Sequence, residues 1–590
     1  MKYPFPKKAI QALLLLSTLL LLAPDTAQAQ RRIPTQRANQ HYQTGMKLLE
    51  RQELDQAIAE LTLATKLNPR FAAAHNALGM ALARKGEFSA AGESFRQAIK
   101  ITPRLYEAHL GLASVLQQSG DFDGAIAASK QAIALKPGEV EARLLQAAAY
   151  QNKRDLDSAI VQFRDAIRLK PNAAEAHYYL GYALGVKGLL KDSISELETA
   201  VRLKPDLAEA QYYLGAARWF SGDVEGAIAA LALAVKLMPN DTNAHYYLGR
   251  ALQKKGNLED AIGEFDTAIK LAPDMIEPRQ AMGIALQQND DLDAAVEAFR
   301  AIIKLKPDFV EAHNDLGLAL VQKLDPEAAI IEFNAVLSLN PNDVVANHNL
   351  GMTLIQKGDY EAAVTQYRKL ITLVPDDAEA HYGLGIALKQ KDALNDASAE
   401  LRKAIALKPS LHEAHYGLGA ILLQQSNLED SAAAFRTAIG VKKDYVEAHY
   451  ALGTVLQQKG DVVGAIAEFR EALRLAPNAA EIHNTLGNAL RQKGDIDAAR
   501  TEFQEAARLN KIKSNQQAAT FASNAGLAQL KEGNLEAAIQ KFQAAVQLDP
   551  TNSQSYFNLA RALQQKGETE AARVAYQKAK ELKPRVKPLQ

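Results

Sequence analysis

Ten of the twelve histidines stand at one register of a repeating sequence: His41, His75, His109, His177, His245, His313, His381, His415, His449 and His483. Histidine serves both proton transfer and metal ligation, so this ladder is the first place to look for chemistry. Its spacing argues against both. Zinc draws ligands to about 2 Å from one centre, whereas equivalent positions on packed helices lie about 8–10 Å or more apart. One histidine per unit cannot converge on one ion, and the imidazoles read as large packing residues. His412 and His415, three apart, form the one local pair, half of a metal site with no third ligand in view. The chain has no cysteine, which excludes thiol nucleophiles, thiolate metal sites and disulfides. Gly383-Leu-Gly385 and Gly417-Leu-Gly419 begin like a dinucleotide fingerprint but follow no strand, and no Walker sequence, H-E-x-x-H or nucleophile elbow occurs. The sequence therefore reads as non-enzymatic, with no catalytic residues, no metal and no cofactor.

Binding chemistry is carried instead by aromatic side chains. Tyr178, Tyr179, Tyr182, Tyr212, Tyr213, Trp219, Phe220, Tyr246 and Tyr247 crowd one stretch, and aromatics anchor interfaces because they join large apolar area to a polar tip. Tyr178, Tyr182, Tyr212, Trp219 and Tyr246 are the candidate ligand-binding residues, with Trp219, the single tryptophan, near the centre. The competing reading is that the tyrosines at position six, Tyr179, Tyr213 and Tyr247, simply pack between adjacent units. A second ladder, Glu107, Glu141, Glu175, Glu209, Glu277, Glu311, Glu379, Glu413, Glu447 and Glu481, would favour basic ligands, although helix capping accounts for the same residues.

The elements that must position these residues are set by proline. It recurs every 34 residues from Pro69 to Pro409, skips one beat at Lys443 and returns at Pro477. A fixed period of this length means stacked units that bury their apolar faces against each other. Counting one unit from Ala174, apolar or small residues fall at positions four, seven, eight and eleven, the stripe of an amphipathic helix, and positions 20, 24 and 27 repeat the pattern after Gly188. Pro205 then ends the second helix. Position eight is glycine in thirteen units, among them Gly181, Gly283 and Gly453, which predicts close backbone packing, since glycine within a helix costs up to about 1 kcal/mol relative to alanine. Asn172 with Glu175, Asp206 with Glu209 and Asp308 with Glu311 are spaced as capping boxes.

The combination of Leu-Gly at seven and eight, alanine at 20, an aromatic near 24, alanine at 27 and proline at 32 resembles the tetratricopeptide repeat (TPR) family. Sixteen units start at Ala38, Ala72, Tyr106, Val140, Ala174, Ala208, Thr242, Ile276, Val310, Val344, Ala378, His412, Val446, Ala480, Ala519 and Ser553. The resemblance implies an all-α, right-handed superhelical solenoid of tandem antiparallel helix pairs, whose concave wall, lined mainly by first helices, holds peptides or other proteins. By the family's geometry, positions two, five, nine and twelve of each first helix face that wall. Two family devices are missing: the lysine and asparagine clamp for carboxyl-terminal peptides, and the asparagine ladder of sugar-transferase arrays, of which Asn349, Asn524 and Asn558 remain.

Residues 1–29 read as a signal peptide, with Lys7 and Lys8 before an apolar run from Ala12 to Ala23 and an Ala27-Gln28-Ala29 cleavage site; the run is short for a membrane span. The expected organisation is a linker over 30–37, TPR units 1–14 over 38–509, an insert over 510–518, units 15–16 over 519–584 and a tail over 585–590. At Lys443 the second helix is expected to continue or end less sharply, and the insert, free of glycine and proline, to lengthen a helix or form a polar turn. With 68 basic and 68 acidic side chains the chain has no field to collect nucleic acid. The expectation is an exported scaffold or adaptor, periplasmic or secreted, that binds peptide segments or proteins in its concave groove for envelope or secretion assembly. Its partners would be proteins or peptides, with no specific small molecule and with membrane contact only if the leader stays uncleaved. The alternative is a regulatory or substrate-presenting subunit of a separately encoded glycosyltransferase or glycan-synthesis complex.

Overall fold

In the computed structural model, residues 32–583 are described, their side chains from residue 36, and every element among them is an α-helix. The leader and the tail lie outside the described residues. Among the described residues there are thirty-one helices, and within the two compact units fifteen pairs of consecutive helices, each pair one repeat, pack against each other, the helix Ile496–Lys531 serving in two of them. None of these helices is long and apolar enough to cross a membrane. The first helix starts at Arg32, so most of the expected 30–37 linker is helical.

The chain divides into two compact units, one ending at Ala319 and one starting at Leu320. In the first, the pair Ala174–Val186 and Leu190–Leu203 is representative. Gly188 ends the first helix in the left-handed region, with φ of 84°, where an L side chain would be strained. Lys204 ends the second with its N–H on the Ala200 carbonyl, and Pro205 follows. The glycine at position eight is there for space. A Cβ added to Gly181 would stand 2.6 Å from Leu197 Cγ, and one on Gly283 2.6 Å from Phe299 Cε1. The second unit repeats the contact, with Gly453 at 2.6 Å from Phe469 Cε1. Removing the side chain at one position thus lets a large one at position 24 pack against the backbone, and Leu197, Phe299 and Phe469 are fully buried.

Three local expectations are corrected. The capping boxes of Asn172 and Asp206 do not form: their helices begin one residue later, capped at Ala173 and Leu207 without side-chain bonds. Side-chain caps occur where aspartate falls on the capping residue itself, as at Asp155, Asp223, Asp241 and Asp377. Three of the glutamates at position two instead reach the lysine at position 31 of their own unit, Glu107 to Lys136 at 3.0 Å, Glu175 to Lys204 at 3.2 Å and Glu379 to Lys408 at 2.9 Å. These are exposed pairs that contribute little to stability. At Lys443 the helix stops as it does elsewhere, at Val441, with Lys442 N–H on the Ala438 carbonyl.

Since repeats touch mainly their neighbours, overpacking one should stay local. Gly283→Leu is expected to destabilise its surroundings by about 1–3 kcal/mol through the clash with Phe299. Amide hydrogen exchange should accelerate over 276–305 and its flanks while residues 54–101 keep their protection; one simultaneous opening of both regions would contradict this.

Candidate functional site

The histidine ladder is built into the turns. In the first unit, His177 Nε2 lies 2.9 Å from the Pro171 carbonyl and Nδ1 2.6 Å from Glu196 of the second helix. His245 repeats both contacts with Pro239 and Glu264. In the second unit, His381, His449 and His483 do the same. Each imidazole ties the preceding turn to both helices of its own pair. The sequence carried a signal for this: every unit with glutamate at position 23 has histidine at position four. Burial raises the Glu400 carboxyl, but hydrogen bonds from Lys403 and His381 outweigh it and hold the group below its usual range. His412 Nδ1 faces Glu413 at 3.0 Å, whereas His415 Nε2 faces the Pro409 carbonyl at 3.0 Å, so the two rings serve different partners. No group of three or more histidine, aspartate or glutamate side chains able to hold a metal occurs among the described residues.

The five candidate aromatics divide. Tyr178, Tyr182 and Tyr212 are buried, 2%, 4% and 6% exposed. Their rings pack on Tyr213, with centroids at 5.9, 4.7 and 4.9 Å. Burial pushes the Tyr178 and Tyr182 phenols above their ordinary range. The expected groove face is thus corrected for these three: bulky rings on successive first helices bury each other between units. Trp219 and Tyr246 remain half-buried at the surface. Arg250 joins them, its guanidinium 5.6 Å from the Trp219 ring and 5.9 Å from the Tyr246 ring, and it donates to the Tyr246 hydroxyl at 3.0 Å. Cation–π contact of this kind holds the rings and the guanidinium in one cluster.

Beside the cluster opens a hollow of about 430 Å³, walled by Trp219, Tyr246, Arg250, Glu277, Gln280 and Ile284. These residues come from the first helices Ala208–Ser221, Thr242–Lys255 and Ile276–Gln288. All six occupy positions two, five, nine or twelve of their units. Gln280 is oriented by donating to Asp315 at 2.7 Å, and burial raises the Asp315 carboxyl. The site offers two ring surfaces, an aliphatic wall, both signs of charge and an amide. Arg250, Gln280 and Ile284 were missed by the sequence reading, which followed aromatic density and not the whole stripe, and Glu277 entered it only as a member of the glutamate ladder.

The buried half of the cluster has its own test. The Tyr178 hydroxyl is enclosed with no protein group within hydrogen-bonding reach. Tyr178→Phe is therefore expected to leave stability unchanged or raise it by up to about 1 kcal/mol, read as the denaturation midpoint. A loss of more than about 1 kcal/mol would show that the hydroxyl is bonded.

One family model described as tetratricopeptide repeat matches residues 42–105, 187–276, 281–344, 387–480 and 484–553, more than half of the chain. Others with the same or the similar description "TPR repeat" match 82–149, 155–188, 332–365, 351–392, 456–511 and 529–589. No curated protein matches. Among solved structures, MamA is 27% identical over 28% of this chain and 96% of its own, with a TM-score of 0.27. A tetratricopeptide repeat protein from Parabacteroides merdae is 18% identical over 42% of this chain and 98% of its own, with a TM-score of 0.37. Yeast Tom70 is 16% identical over 74% and 97%, with a TM-score of 0.34. The repeat period, the paired helices and the matching family models together establish that this chain belongs to the tetratricopeptide repeat family.

Proposed function

We propose that the protein is an exported, non-enzymatic scaffold that binds extended peptide segments of other proteins at the Trp219 hollow. The observation that carries the reading is the hollow itself: a half-exposed tryptophan and tyrosine braced by Arg250, open to solvent and spanning three successive first helices. A peptide laid across those helices would set apolar side chains on the rings and Ile284, while Glu277 and the Gln280 amide meet its polar groups. Export rests on the leader sequence alone.

Panning a random peptide display library on the intact protein tests the site. Enriched peptides should bind Trp219→Ala more than tenfold more weakly, the usual loss for a truncated hot-spot aromatic, and should shift Trp219 emission to the blue. Peptides that bind the variant equally well and leave the emission unchanged would place binding elsewhere. Export is tested separately by amino-terminal sequencing of the protein recovered outside the cytoplasm. The expected first residue is Gln30; a soluble cytoplasmic chain starting at Met1 would overturn export and leave the binding site standing.

A further inference from the structure

The residue at position 24 is fully buried in nearly every described unit, by its own first helix on one side and the next unit's on the other. Phe95, Phe163, Phe265, Phe299, Phe333, Phe435, Phe469 and Phe542 are all at most 1% exposed. Two break the rule. Tyr576 is half-buried in the last described unit, which no further described repeat covers; Phe503 is half-buried in the interior of the array. Beside Phe503 lies an open hollow of about 380 Å³, walled by Arg491, Ile496, Ala499, Arg500 and Ala507 among others. Ile496 is 53% exposed.

Position three shows the mirror image. It is buried in every unit that follows a packed neighbour, fully so for the alanines from Ala74 to Ala448. It is exposed at Gln40, in the first described unit, and at Phe521, which is 75% exposed. Unit 14 therefore presents the face of an array end, and unit 15 the face of an array start. The cause is the single helix Ile496–Lys531, 36 residues long, which is the second helix of one unit and the first of the next. In the regular junctions within each compact unit those two helices fold back and pack on each other. Here they are collinear and cannot.

The geometry fixes what could cover them. Phe503 and Phe521 are 18 residues apart, five turns of helix, so they lie on the same side of it about 27 Å from each other. Ile496 and Ala507 share that side, and Asn510 and Ser514 occupy its middle. A second copy of the helix laid antiparallel across it about a two-fold axis near residue 512 would meet both faces at once. We propose that the partner of this surface is a second copy of the chain, with Phe521 of each copy seated on the Phe503 hollow of the other. The contact reproduces between copies the junction that regular neighbouring repeats make within one copy, and it is self-complementary, as a two-fold interface must be. It is independent of the Trp219 site.

Sedimentation of the full mature chain over a range of concentrations tests this. The wild type should be dimeric. Phe521→Lys, which sets a cation against Arg491 and Arg500, should raise the dissociation constant more than tenfold, whereas Phe521→Leu should stay near wild type. Phe521 is largely exposed in one copy, so helical circular dichroism should be unchanged in both variants. As a measurement free of substitution, hydrogen exchange over 496–507 should slow in the wild type as its concentration rises. A wild type that is monomeric throughout, or a dimer indifferent to Phe521→Lys with exchange independent of concentration, would overturn the proposal.

Discussion

The side chain at position 24 is held between a glycine of its own unit and the first helix of the next, and the stacking of each unit depends on that double contact. Burying a phenylalanine contributes about 1.5–3 kcal/mol, while a glycine within a helix costs up to about 1 kcal/mol relative to alanine. The exchange favours glycine only when the ring is covered completely. That is why the first contact needs the second. The neighbour supplies it: a Cβ on Gly383 would stand within 2.3 Å of Tyr367 of the preceding unit, and Tyr179 stacks at 5.8 Å on Phe163 of the unit before it. Stability of this kind is a property of junctions, so it is shared between adjacent units and not pooled in one core.

Polar atoms follow the same junctions. Each turn leaves a backbone carbonyl at the proline position beside the next first helix, and a side chain six residues on reaches back to it. The donor is usually histidine, but Arg279 reaches Pro273 at 2.9 Å, and Gln211 and Asn347 reach Pro205 and Pro341 at 3.3 Å. Long, forked or planar donors all satisfy the same acceptor, which is why position four changes identity without losing its function.

The fold was legible because one period is repeated many times, so that errors at single residues do not accumulate. Helix ends were read to within a residue, and the capping boxes failed by that residue: Asn172 and Asp206 stand one place before the residue that caps. The candidate site was legible only as a stripe. Positions two, five, nine and twelve do line the hollow, but the period says nothing about whether a ring on that stripe finds another ring above it. Tyr178 and Tyr182 meet Tyr213 and vanish into the core, whereas Trp219 meets the guanidinium of Arg250 and stays at the surface. That difference lies in which residues happen to be neighbours across units, a relation a single unit's pattern does not contain.

The turns between units can be sorted by two devices, a proline that stops the helix and a donor at position four that fastens the turn. Most junctions have both. At Pro550 the following unit has Tyr556 at position four, and the helix still ends at Leu548 with the proline two residues on. At Lys443 the proline is gone, yet His449 Nε2 finds the Lys443 carbonyl at 3.1 Å, and the turn keeps its shape. Between Leu509 and Ala519 both are missing: no proline occurs, and position four is Ala522, which has nothing to donate. Lysine, glutamine and alanine there favour helix, and the chain runs straight through. Either device alone goes with a turn in this chain, and losing both removes it. The straight helix is therefore a local consequence of sequence, and the two uncovered faces it creates follow from the same absence.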